Sequence, residues 1–463
     1  MIDRLKETSR RPVFYGRYIV ATCIFVAFVT NGARNSFGIF VLPMEAEFGW
    51  DRGDISFAAA LGFLVNGLTQ PFMGKLLDRF GGRKIIISSL FLFGVTTVAL
   101  SRIPHLHLAV GIDLPLFDIP APNLGFLYLV LTFGFISSVA LSGMSLNNTG
   151  TLLSRWFRRR RATVVGLNAA GLSLGGLLLV PLGMYFLQAT NWRLTWVAFG
   201  LLILILSVPL AFMFLRDDPR DMNLNPDGDE GQPGDSAGAG GGRRSGLLDT
   251  DSWAQSFRSA PIWQMTIAYF ACGYTTAVLS VHFVPFADSL SVGPQTAAFI
   301  FALMMGLNVV GSIGAGILSD KFSRKNMLAL VYFVRGSAYM LMLAGVEFLG
   351  LGAPALMIFA IVAGVSWIAT APLTTALIAD VYGVRALGTI SGVAFLVHAV
   401  GSGISIWLAG YLFDLTGSYT LPFSIAGIML FPAALVAFSI KERTYSSRYR
   451  VTEAPAPAPA AGD

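Results

Sequence analysis

Apolar residues run along this chain in long blocks, divided by short polar segments that hold most of the charge. A helix crossing a bilayer needs about 20 consecutive, mostly apolar residues. Runs of that length lie at about 18–43, 55–76, 84–101, 125–153, 162–188, 194–215, 261–287, 295–318, 326–348, 354–379, 387–413 and 420–440. The pattern predicts twelve spanning helices and excludes an ordinary soluble globule. The first run continues to Pro43 without a small-residue cleavage site, so it reads as a retained span.

The polar interruptions divide the chain further. Residues 1–17 form an N-terminal cytoplasmic segment, 18–216 a six-helix bundle, and 217–258 a cytoplasmic linker rich in Gly, Asp, Asn and Pro. Such a linker buries too little apolar surface to offset its ordering entropy. Residues 259–441 form the second six-helix bundle, and 442–463 a cytoplasmic tail whose Ala-Pro alternation is expected to be partly disordered. Sliding the sequence by 242 positions aligns 43–80 with 285–322 without a gap, and pairs Pro43 with Pro285, Asn66 with Asn308, Gly74 with Gly316 and Asp78 with Asp320. The fold class is therefore an all-α membrane protein of two pseudo-symmetric halves, the repeat logic of secondary transporters.

Charge changes the picture less than its total suggests. A net charge of +6 in a soluble protein would point to nucleic acid, but this chain is 54% hydrophobic and 13% charged, with a mean hydropathy of +0.66. With both termini placed in the cytoplasm, 27 of the 32 Lys and Arg fall on the cytoplasmic side, and Arg52, Arg102 and Arg193 fall outside. This is the positive-inside bias, so the charge reports orientation and no nucleic-acid partner is expected. Cys23 and Cys272 belong to different halves, and their spacing suggests neither disulfide nor metal site. His105 and His107, in the external connection between spans three and four, read as solvated loop residues. No nucleotide loop, metal cluster or nucleophile constellation is present, so neither an enzyme nor a cofactor is expected and energy should come from a gradient.

The candidate chemistry lies within the spans. Arg34 falls in the middle of span one, where a cation that cannot lose its proton costs at least about 2.5–3.5 kcal/mol to insert. No Asp or Glu falls in the central part of any span, so the expected counterion is a mobile one, a small organic anion. Asn31 and Asn35 extend the polar stripe of Arg34 along the helix. Asn66 and Gln70 in span two, and Asn308 and Ser312 in span eight, occupy equivalent places in the repeat, and each pair either contacts solute or joins helices. Trp367 in span ten and His398 in span eleven complete the candidate substrate-binding set, with His398 and His282 as proton carriers. Arg335 in span nine reads as a structural cation directed toward Asp380.

The segments Gly74-Lys-Leu-Leu-Asp78-Arg79-Phe80-Gly81-Gly82-Arg83 and Gly316-Ile-Leu-Ser-Asp320-Lys321-Phe322-Ser323-Arg324 follow spans two and eight. They closely resemble the loop motif of the major facilitator superfamily, which implies a conformational latch formed by Gly74, Asp78, Arg79, Arg83, Gly316, Asp320, Lys321 and Arg324. The run from Trp156 through Arg158–Arg161 to Gly166 and Gly171, and the stretch from Asn31 to Phe40, resemble bacterial members of the monocarboxylate transporter and oxalate/formate exchanger families. Those families usually carry an Arg in span eight with an acid one turn earlier; aligned on Asp320, this chain has Ser312 and Asn308 instead. The resemblance implies a carrier of a small carboxylate, functional as a monomer in the bacterial cytoplasmic (inner) membrane and in contact with its lipids. Proton symport follows from the resemblance, whereas a fixed cation without a membrane carboxylate also suits exchange. A drug or siderophore exporter of the same fold and a non-transporting membrane sensor are the rival readings.

Overall fold

A computed structural model describes residues 14–104, 112–114, 117–119, 124–157, 161–225, 227, 248, 253–383, 387–446 and 449. Eleven helical segments are long and apolar enough to cross a membrane. Spans one to six are Gly16–Phe48, Arg52–Leu77, Gly82–Arg102, Leu124–Leu153, Val164–Ala189 and Trp192–Phe214. Spans seven, eight, nine, eleven and twelve are Ala260–Ser289, Pro294–Ser319, Arg324–Leu349, Thr389–Thr416 and Thr420–Ser439. The protein is an integral membrane protein. Glycines in the left-handed conformation, Gly49 at φ 65° and Gly350 at φ 62°, end spans one and nine, where a Cβ would be strained.

Span ten departs from the hydropathy pattern. The expected continuous helix over 354–379 is two helices, Ala353–Gly364 and Thr370–Tyr382, with an unwound joint at 365–369. The hydropathy of the run gives no sign of this, but Pro372 does: it cannot donate to the Ile368 carbonyl and its ring crowds that oxygen, so the helix breaks before it. Twelve crossings return the chain to the face it left; that face is called here the near face, and the opposite one the far face. On the far face, Ile112–Leu114 and Phe117–Ile119 pair as a short antiparallel hairpin between spans three and four, the one β element among the described residues. His105 and His107 lie outside the described residues.

Within the first half, span one packs on span five, and Gly175 brings the backbones so close that a Cβ there would strike the Phe28 carbonyl and Gly32. Span seven packs on span eleven in the same way, with Gly273 against the His398 carbonyl. Across the halves, span two meets span eleven and span five meets span eight. These contacts run from mid-depth to the far face: Gly67 against Ala399, Gly403 against Ala60, Gly410 against Arg52, and Gly176 against Met305. Toward the near face the same spans part. A Cβ added at Gly74, Gly166, Gly314 or Gly392 would meet no atom within 4 Å. The halves are thus in close contact from mid-depth to the far face, and these near-side glycines meet no neighbour.

Candidate functional site

Arg34 and Asn35 line a pocket at mid-depth together with Phe37 of span one, Ala59, Gly62 and Phe63 of span two, Phe133, Ser138 and Leu141 of span four, and Ser280 and Val281 of span seven. The space enclosed between these atoms is small, about 10 Å³, room for roughly one water. The Arg34 guanidinium sits flat over the Phe63 ring, 3.8 Å from its centroid. Among the described residues no carboxylate pairs with it and no protein group accepts a hydrogen bond from it. The ring face offsets part of the desolvation of the cation, while the planar N–H edge stays available, the geometry that suits a bidentate carboxylate.

Aromatic packing fixes this wall. Phe37 stacks on Phe133 at 4.2 Å, and Ser138 Oγ donates to the Phe133 carbonyl at 3.1 Å, so its hydroxyl proton is committed within span four. The pocket therefore joins one fixed cation to walls that are mostly aromatic and aliphatic. Phe63 was not among the residues singled out from the sequence; a Phe one helix away from an intramembrane Arg leaves no mark in a single chain.

The other expected substrate contacts do not gather here. Asn31 donates to the Leu172 carbonyl of span five at 2.8 Å and ties spans one and five together. Asn66 is buried and donates to the Ser138 carbonyl and to Ser142 Oγ, at 3.3 and 3.2 Å. Asn308 is 1% exposed; its Nδ2 donates to Ser173 Oγ at 2.7 Å, and its Oδ1 accepts from the Ile368 N–H at 2.8 Å and from Ser312 Oγ at 3.2 Å. In this conformation both asparagines join helices, because each carboxamide is met by protein groups. Gln70 is half-buried in the near half of span two. Trp367 is 3% exposed and belongs to the unwound joint, with its ring beside Arg335.

His398 is partly exposed in span eleven, with its ring 4.6 Å from that of Tyr269 and 5.5 Å from that of Phe395. His282 is fully buried in the far-face closure. Its Nδ1 lies 3.1 Å from Tyr419 Oη, and its Nε2 lies 2.8 Å from the Ile406 carbonyl and 3.3 Å from Ser56 Oγ. Around it, Arg52 pairs with Glu45 at 2.9 Å and lies over the Phe413 ring at 4.0 Å. Asp414 of span eleven accepts the N–H groups of Arg52 and Gly53, at 3.2 and 2.7 Å. A carboxylate from one half thus caps the first turn of span two in the other, where the helix dipole favours negative charge. From the sequence, Arg52 reads only as a charge outside the bilayer, and nothing there singles out Asp414.

The contacts of the residues expected to form a latch lie within each half. Asp217, after span six, accepts the Arg83 N–H at 2.8 Å, and the Arg83 side chain donates to the Phe212 carbonyl at 2.8 Å. Glu442, after span twelve, is 1% exposed and accepts from Ser323 Oγ, from the Arg324 N–H at 3.1 Å and from the Lys325 N–H at 3.0 Å. Arg324 pairs with Asp380 at 3.0 Å. Arg335 is therefore not the partner of Asp380; it donates to the Ser366 carbonyl and, at 2.6 Å, to that of Trp367. Arg79 lies 5.2 Å from the Phe80 ring, Gly74 has open space around it, and Lys321 is exposed at the end of its helix. Asp78, Gly316 and Asp320 are described only as positions in their helices, and the side chains of the two aspartates lie outside the described part. Among the described residues no group of His, Cys, Asp and Glu is arranged to hold a metal.

The profile of the Major Facilitator Superfamily matches residues 23–346 and 265–461. An uncharacterized MFS-type transporter, YcxA, of Bacillus subtilis (strain 168) is 24% identical over 96% of this chain and 100% of its own length. Monocarboxylate transporter 13 of Bos taurus is 26% identical over 92% of this chain and 89% of its own, and monocarboxylate transporter 12 of Homo sapiens 24% over 95% and 83%. Among solved structures, a D-xylose-proton symporter superposes with a TM-score of 0.70 at 14% identity, covering 92% of this chain and 98% of that one. A bacterial homolog of the human lysosomal transporter Spinster, in an inward-facing and unoccupied conformation, gives 0.68 at 15%, covering 96% and 100%.

Proposed function

Because the chain belongs to the Major Facilitator Superfamily, we propose that this transporter moves a small organic anion, a monocarboxylate or related carboxylate, across the cytoplasmic membrane by alternating access. The observation that carries the reading is the unpaired Arg34 guanidinium held on Phe63 in a mid-depth pocket. The monocarboxylate transporters among its relatives support the same substrate class. A carboxylate entering from the near face replaces the water on the N–H edge of Arg34. The bound pair carries no net charge, so closing apolar helices over it no longer buries a lone cation. One fixed cation among aromatic walls favours a single carboxylate with an apolar body over a dicarboxylate.

In this reading the near face is cytoplasmic, as the distribution of Lys and Arg suggests, and the units that rock are the bundles 18–216 and 259–441. Asn35, which lines the same pocket, is the neutral donor to the anion, and His398, on the opposite half beside Tyr269 and Cys272, is the proton carrier; His282 joins it when the far face opens. The protein acts as a monomer in a bacterial inner membrane.

Counterflow in proteoliposomes tests this reading. Monocarboxylates, dicarboxylates, amino acids and a lipophilic cation are compared with and without a pH gradient. Uptake of monocarboxylates, stimulated by the gradient in the wild type and not in His398→Gln, is expected. Selective uptake of the cation overturns the anion reading, and carboxylate binding without flux of any solute favours a sensor.

A further inference from the structure

Pro372 interrupts span ten and leaves backbone groups without helical partners in the membrane interior, where each unmet group is costly. Two side chains from other spans meet them. Arg335 of span nine, fully buried, donates to the Ser366 and Trp367 carbonyls, and Asn308 of span eight accepts the Ile368 N–H at 2.8 Å. Gly311, one turn beyond Asn308, lets the Val365 carbonyl lie directly on span eight, where a Cβ would overlap it. Three neighbours from two spans thus fit the unwound form of the joint and not a continuous helix.

The joint touches both halves. Asn308 Nδ2 donates to Ser173 Oγ of span five, so a single carboxamide links the opposite half to the joint at the depth where spans five and eight meet. Just beyond the joint, Thr370 Oγ1 lies 2.9 Å from Cys272 Sγ, and Arg335 Nη1 lies 3.6 Å from the same sulfur. Cys272 in turn lies beside His398.

We propose that Arg335 and Asn308 are positioning residues for transport, which hold the 365–369 joint unwound and through it set the wall formed by Thr370, Cys272 and His398. The Arg335 guanidinium acts as a tethered cation on the carbonyls that the break exposes. The Asn308 carboxamide transmits the turning of the first half to the joint, so that the half-helix Thr370–Tyr382 moves when the cleft changes face. This rests on the transport reading above, but its first readout does not.

Cys272 is 2% exposed, and the chain has two cysteines, so a Cys23→Ser protein reports on Cys272 alone. Alkylation of that protein by a small maleimide in detergent measures opening of the joint whether or not any solute is carried. Asn308→Leu and Arg335→Met each strand buried polar backbone, and should speed alkylation roughly tenfold or more. Arg335→Lys, which keeps a cation for the carbonyls, should restore most of the slow rate. Ser173→Ala, which cuts only the link between halves, should leave alkylation at the wild-type rate while lowering the maximal flux of a monocarboxylate severalfold at unchanged KM. Alkylation of folded Asn308→Leu at the wild-type rate overturns the proposal. So does a change in KM alone for Ser173→Ala. Should no solute be carried by the wild type, the transport reading fails, while the alkylation series still decides the role of the joint.

Discussion

Replacing Arg34 by Met removes the guanidinium and keeps an unbranched apolar side chain of similar reach. A carboxylate held by the free N–H edge makes two charge-assisted hydrogen bonds, each contributing about 1.5–3 kcal/mol. Their loss weakens the apparent affinity roughly 100-fold or more, since about 1.4 kcal/mol is a factor of ten. Stability should move the other way. Arg34 has no hydrogen-bonded or ion-paired partner among the described residues, so removing it strands no protein group, and it relieves an insertion cost of about 2.5–3.5 kcal/mol. The opposing loss is the contact with Phe63, of order 0.5–2 kcal/mol. Arg34→Met should therefore lose carboxylate counterflow in proteoliposomes while its unfolding temperature in detergent stays level or rises. Phe63→Leu should keep transport with affinity weakened about 2–30-fold. A loss of about 3–5 kcal/mol of stability in Arg34→Met, the signature of a broken buried pair, would show that native groups hold the cation and refute the reasoning. Undiminished carboxylate affinity in that variant would refute it as well.

Three further outcomes follow from the same contacts. Asp414→Asn removes the charge that caps span two across the halves, and should shift the population toward a far-face-open form by about 0.3–1 kcal/mol, read as faster labelling of Ser56→Cys in a cysteine-free background. Gly38→Val should retain carboxylate binding but fail to cycle in transport assays, because its Cβ would lie 2.9 Å from the Val281 carbonyl and 3.0 Å from that of Ser280 when the far face closes. Glu442→Ala strips the buried cap from the start of span nine and should lower stability in detergent by about 1–3 kcal/mol, with KM unchanged in reconstituted vesicles.

The caps at Asp217 and Glu442 show how much of the two-half plan rests on local logic. The repeat pairs Arg83 with Lys325, and in each half a carboxylate after the sixth helix accepts that residue's amide. The carboxylates themselves do not fall in register in the repeat, so the sequence alignment passes over them.

By itself, the sequence determined the number of crossings, the two related halves, the family and the presence of a stranded cation at Arg34. The crossings and the cation follow from hydropathy, length and the energy of charge in oil, the halves from the internal repeat, and the family from the motifs that resemble it, all of them local or additive along the chain. Only the tertiary structure decided which polar groups remain available. Asn31, Asn66 and Asn308 look equivalent to Asn35 along their helices, yet each carboxamide is taken up by a neighbouring span, while Arg34 keeps its N–H edge. The break in span ten is marked locally by Pro372, but what meets its exposed backbone belongs to the same class, because Arg335 and Asn308 reach it from other helices. Hydrogen-bond satisfaction is a property of what lies across from a residue, and one chain read in order does not record what lies across.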